Sequence, residues 1–141
     1  MKSNGKLKPE AYDPSPNTDE VSILRVLWIG ADLAKKHSQA LQTKEKFYKG
    51  LAVLEAGTIR AQGADVVDSR ELFCGHGDIR HGIRLKCSQS DPPSPELVHR
   101  LHIRNKELAK LSRYIQDPDP SNHHWTGGDL DFRKPESGCT F

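Results

Sequence analysis

Apolar residues are concentrated in a few short stretches of this chain. The first is residues 22–30, Ser-Ile-Leu-Arg-Val-Leu-Trp-Ile-Gly, which is rich in branched and aromatic side chains and closed by glycine. A run this apolar predicts a strand buried on both faces. Asp32 then suits a helix cap. Residues 33–62 are mostly helix-forming, with breaks expected near Gln42 and Thr43 or at Gly50. The second part of that helix would set Phe47, Leu51, Leu54 and Ile59 near a common face. Gly63 is placed to end it, and residues 64–68, Ala-Asp-Val-Val-Asp, read as a second short strand. Strand, helix, strand in this order, with about thirty residues in the crossover, is the outline of a right-handed βαβ unit with parallel strands.

The second apolar pattern begins after a proline- and serine-rich loop at residues 88–95. Ser94 as cap, Pro95 in the first helical position and Glu96 in the first turn predict a helix start. Leu97, Leu101, Leu108, Leu111 and Ile115 supply its stripe, and Asp117-Pro118-Asp119-Pro120 stops it. The fold expected is a small single α/β domain over residues 21–116, with a short, mainly parallel sheet and a C-terminal helix. Ile23, Val26, Trp28, Leu51, Leu54, Val66 and Val67 are the expected core. Residues 1–20 hold almost nothing apolar and read as a flexible arm. Residues 117–141 form a polar tail, with Trp125 and Phe132 as its candidate anchors.

Composition narrows the class. At 141 residues, 35% hydrophobic and 28% charged, the chain suits one soluble domain. It contains no apolar run of about 18 residues, so no membrane-spanning helix is expected. The basic start has no apolar stretch behind it, and neither a myristoyl nor a prenyl motif is present. With three cysteines, an odd number, an intracellular, by default cytoplasmic, location is expected. The net charge of +2 is unevenly placed: residues 70–116 carry nine basic and five acidic side chains, and residues 117–141 carry two and five. Within the basic stretch, His99, His102, Lys106, Lys110 and Arg113 follow helical i, i+3/i+4 spacing and would share one face. Such a stripe can track phosphates or meet an acidic protein surface, so RNA is one candidate partner. Tyr114 alone interrupts it with an aromatic ring, so base stacking is not indicated.

The densest chemistry lies in residues 74–87. Cys74, His76, His81 and Cys87 give the spacing C-x-H-x4-H-x5-C, and thiolates with imidazoles are the donors that zinc takes. Gly75, Gly77 and Gly82 would let the backbone bend around an ion. About one zinc per chain is the expectation. His123 and His124, among Asp119, Asp129 and Asp131, form a second histidine pair. Trp28-Ile29-Gly30-Ala31-Asp32-Leu33 resembles the first strand-turn of SGNH/GDSL-type hydrolases, but the nucleophilic serine of that family is missing here. No P-loop or dinucleotide-binding glycine motif occurs.

Two functions follow as expectations. The first is a non-enzymatic binding or regulatory protein, with a Cys/His metal site and a basic helix face for an anionic partner. The alternative is a minimal hydrolase or transferase. It would use Asp32 or Asp68 at the strand ends, with His76, His81 or His123 as acid and base.

Overall fold

The computed structural model describes residues 7–72, 74–88 and 91–127, and of residues 26–28 the backbone alone. Strand β1 (Glu20–Leu24) satisfies its backbone groups far along the chain. It lies antiparallel to β4 (His76–Arg80), with Val21 opposite Ile79 and Ile23 opposite Gly77. Strand β3 (Asp65–Asp68) runs antiparallel along the other side of β4, with Val66 also opposite Ile79. The sheet order is therefore β1-β4-β3. A separate two-stranded ribbon joins β2 (Gly50–Val53) to β5 (Arg113–Gln116), again antiparallel, with Leu51 opposite Ile115. Helices α1 (Val26–Ala40), α2 (Ala56–Ala61) and α3 (Pro95–Leu111) connect and cover these strands.

The parallel sheet and βαβ unit expected from the sequence do not form. All the ladders among the described residues are antiparallel. The apolar run at 22–30 is split. Arg25 donates its N–H to the Gly75 carbonyl at 2.8 Å, and the chain then turns into α1 at Val26. Leucine, isoleucine and tryptophan are acceptable helix residues, so a short apolar run does not by itself choose a strand. Gly30 (φ 78°, ψ 173°) breaks α1 inside the former strand prediction. The second half of the expected crossover helix holds β2 instead. Its partner β5 lies some sixty residues further on, and local propensity cannot report such a pairing. Phe47, placed on an apolar helix face by the sequence reading, is 67% exposed.

The core gathers around β4 and α3. Ile79, Leu108 and Ile59 are buried with Ala64 and Tyr12, and Ile23, Leu54 and Val66 pack against them half-buried. Leu51 and Val67 are also half-buried. The side chains of Val26 and Trp28, expected in the core, lie outside the described set, as does Phe132. The start of α3 matches its sequence signal: Ser94 Oγ accepts from the Leu97 N–H, with Pro95 in the first turn. The helix ends at Leu111, and its buried stripe is Leu101, Asn105 and Leu108, while Leu97 and Leu111 are partly exposed. Ile115 is buried from β5 rather than from the helix. Tyr12, in the segment read as an arm, sits in a short 3-10 turn (Pro9–Tyr12). Its hydroxyl meets Ser112 Oγ, and Asn105 donates to the neighbouring Asp13 carboxylate at 2.9 Å. Among the described residues no helix is long and apolar enough to cross a membrane.

Ile79 is 1% exposed and faces partners on both sides in the central strand. Ile79→Ala and Leu108→Ala should each cost about 2–5 kcal/mol in urea unfolding. Ile103→Ala, on the outer side of the same helix, should stay within about 0.5 kcal/mol of the parent.

Candidate functional site

Residues 76–80 of the Cys/His segment form the central strand of the sheet, and this sets what their side chains can do. His76 and Asp78 are buried at 6% and 7% exposure. Asp78 can only accept, so Ser69 Oγ donates to Asp78 Oδ2 at 2.6 Å and accepts the Nδ1–H of His76 at 2.9 Å. His81 is buried with both ring nitrogens engaged. Its Nε2–H donates to the Tyr12 carbonyl at 2.8 Å, and its Nδ1 accepts from Arg104 Nη1 at 3.2 Å. That pattern fixes the neutral form. Desolvation pushes the His81 pKa below the usual histidine value and the Arg104 cation adds to this, although the bond to Tyr12 acts the other way. Cys74 is in a disulfide, and Cys87 is a half-buried free thiol. Among the described residues no three His, Cys, Asp or Glu side chains are grouped so as to hold a metal ion.

The predicted basic stripe lies at the surface. His99, His102, Lys106 and Lys110 are exposed along α3, and Arg113 is exposed at the start of β5. Ile103 lies among them at 57% exposure. Glu96, on the same helix, is tied to Arg100 at 2.8 Å.

The carboxylates offered for acid–base chemistry divide. Asp68 pairs with Arg70 at 2.5 Å and Arg25 at 3.0 Å, and the hydrogen bonds from Arg70 hold its pKa low. Asp32 does meet a histidine. Its Oδ1 accepts the Trp125 N–H at 2.7 Å, and its Oδ2 lies 3.4 Å from His124 Nδ1. Both side chains stand in solvent, 60% and 77% exposed. His123 lines a separate open cleft of about 520 Å³ with Gln39, Tyr48 and Pro120.

The most heavily built polar cluster was not visible in the sequence. Lys35 and Asp117 are both fully buried side chains, with Lys35 Nζ 2.9 Å from Asp117 Oδ2. Lys35 also donates to the carbonyls of Asp119 and His124, each at 2.8 Å. An ammonium has three donors, and all three are used. Tyr48 donates its O–H to Asp117 Oδ2 at 2.6 Å, and the Asp119 N–H reaches Oδ1 at 2.8 Å. Burial alone would raise the Asp117 pKa. The hydrogen bonds from Tyr48 and Lys35 outweigh it and hold the carboxyl below its ordinary value. Tyr48 is pushed up, by burial first, then by its hydrogen bond to Asp117 and by that carboxylate's charge. A lysine saturated in this way is a clamp between α1 and the chain after β5, with no lone pair to act as a nucleophile. Nothing local marks Lys35 in the sequence, and Asp117 beside Pro118 has the pattern of a helix stop.

Comparison with protein-family models, with curated proteins and with solved structures gave no match.

Lys35→Met leaves the Asp117 carboxylate buried beside carbonyls that have lost their donor. It should cost about 3–5 kcal/mol in urea unfolding, and Lys35→Met with Asp117→Asn should lose less than Lys35→Met alone, because no charge is then left buried while Tyr48 and the Asp119 N–H keep an acceptor. Asp117 has a depressed native pKa, so its stabilisation is present above the unfolded value near about pH 4 and is lost as pH falls through the native one.

His81 has its own pH signature. Its native pKa is lowered, so the unfolded chain binds the extra proton below about pH 6.5. Stability should fall as pH drops from there through the native value. His81→Gln, which retains an N–H for Tyr12, should flatten that part of the stability profile. A profile unchanged by the substitution would show that His81 does not carry the effect.

Proposed function

We propose that this is a non-enzymatic binding protein that presents the outer face of α3 to an anionic partner. The observation that carries the reading is the row of exposed side chains His99, His102, Lys106 and Lys110 on one helix, with Arg113 exposed just beyond it. Two lysines one turn apart give a local cationic patch. Exposed Ile103 among them favours an acidic protein surface over RNA, because such a partner can cover an apolar side chain as well as pair with the lysines.

Binding is preferred over catalysis because the buried reactive groups already serve one another. Lys35 has three acceptors, both nitrogens of His81 are engaged, and the Ser69 hydroxyl is committed to Asp78. A nucleophilic mechanism needs a base held against an available nucleophile. The Asp32–His124 pair is open to water on both sides.

Titration with poly-glutamate and with single-stranded RNA at two salt concentrations tests the proposal. Binding should weaken with salt and be lost in Lys106→Ala/Lys110→Ala/Arg113→Ala. With RNA each lost phosphate contact should flatten the log–log salt slope by about 0.7. If neither polyanion binds at low salt, or the triple variant binds as the parent does, the reading is wrong.

A further inference from the structure

Two glutamines near the end of α1 have their amides held in opposite senses. Gln39 Nε2 donates to the carbonyls of Pro120 and Asn122, at 2.8 and 2.9 Å. Both of its N–H bonds are thereby used, and Oε1 is left as an acceptor. Gln42 Oε1 accepts the Tyr48 N–H at 3.0 Å, and Nε2 is left as a donor. These bonds also settle which end of each amide is oxygen. The Gln42 N–H bonds to the Gln39 carbonyl at 3.1 Å, so the helix tightens into an i to i+3 turn, in which side chains three apart lie side by side. Gln39 Oε1 and Gln42 Nε2 have no partner among the described residues.

Both glutamines line the open cleft of about 520 Å³ that also holds His123. Phe47 lines it too, with 67% of the residue exposed, and Pro120 adds a second apolar surface. The loop that carries Phe47 is braced. The Thr43 N–H donates to the Lys46 carbonyl at 2.9 Å, the Lys46 N–H donates to Thr43 Oγ1 at 3.0 Å, and Tyr48 is anchored on Asp117. Lys46 and Lys49 flank Phe47 and Tyr48 in the chain, and both are exposed. Residues 43–49 hold three lysines against one glutamate. Asp119, beside Pro120, already accepts from Ser121 Oγ at 3.2 Å.

We infer that this cleft, between the end of α1 and residues 120–123, binds a nucleotide. Its base lies against Phe47 with an edge across Gln39 Oε1 and Gln42 Nε2, and its phosphate points toward Lys46 and Lys49. A planar heterocycle whose edge sets an N–H beside a lone pair answers both amides and covers the exposed ring. A purely apolar ligand would leave both amide atoms unpaired, and a simple anion would face Gln39 Oε1 and leave Phe47 uncovered. The site uses no residue of α3, so it stands apart from the reading above.

Amide NMR of the full chain, titrated with adenosine monophosphate, tests the inference. The side-chain amide signals of Gln39 and Gln42 and the backbone signals of residues 46–48 should shift saturably, while those of α3 stay in place. Phenyl phosphate has a ring and a charge without the donor–acceptor edge. Adenosine has the edge without the charge. Each should bind at least about tenfold more weakly than the nucleotide. Phe47→Ala should keep the parent melting temperature and weaken nucleotide binding about tenfold. Gln42→Glu keeps an acceptor for the Tyr48 N–H and removes the donor. It too should melt as the parent does, and should weaken uncharged adenosine about tenfold, the equivalent of one hydrogen bond. No saturable shift at millimolar nucleotide would overturn the inference. So would phenyl phosphate or adenosine binding as tightly as the nucleotide, binding indifferent to both substitutions, or shifts confined to α3.

Discussion

An ammonium group with no access to water is the constraint on which much of this structure rests. Lys35 is fully buried in α1, and its three donors are divided among the Asp117 carboxylate and the carbonyls of Asp119 and His124. Placing that charge in the interior is strongly unfavourable unless the geometry around it is complete. The completing parts come from chain segments far apart in sequence. Tyr48 supplies a hydroxyl just before β2, and the residues after β5 supply the carboxylate and two carbonyls. Gln39, one turn further along α1, repeats the pattern outside by donating to the carbonyls of Pro120 and Asn122. Residues 117–125, nearly all polar, are thus held by hydrogen bonds to one face of a helix.

A second set of buried polar groups does similar work in the three-stranded sheet. His76, Asp78 and Ser69 satisfy one another across β4 and the end of β3, and His81 joins the Tyr12 carbonyl to Arg104 of α3. Arg104 also donates to the carbonyl of Gln62, so one guanidinium ties α3 to the turn after α2 and to the end of β4. Low dielectric makes such bonds strong and makes any unmade one costly. The residues that drew attention in the sequence as candidate ligands therefore hold elements in place. Histidine beside glycine in a central strand is compatible with both roles until its partners are seen.

What the sequence disclosed depended on the range of the determining interaction. The α3 start was legible because Ser94, Pro95 and Glu96 act within one turn. The exposure of Lys106 and Lys110 followed from helical spacing, although the apolar stripe was drawn too wide, taking in Leu97 and Leu111. β3 was found from its valines. The strand order was not legible, because β1 pairs with a segment more than fifty residues away and β2 with one about sixty away. A strand ending at Leu24 and a helix starting at Val26 share one apolar run, and no composition rule places that boundary. The Lys35–Asp117 pair was hidden for the same reason: a lysine in a helix reads as surface, and its partner looked like a stop signal.

A two-stranded ribbon is marginal on its own, so the persistence of β2 and β5 needs an account. Ile115 is 5% exposed, which gives β5 one buried anchor. The residue that follows the strand, Asp117, is locked to α1 through Lys35 and to the residue before β2 through the Lys49 carbonyl. The ribbon is therefore held at its end by charge and at its middle by an apolar side chain, rather than by pairing with the larger sheet. Among the described residues that arrangement leaves β1 and β2 each with one edge that no strand pairs. Exposed edges invite association, and short strands are one natural limit on it. β1 and β2 have five and four residues, long enough to present alternate backbone groups and short enough to restrict what can pair with them.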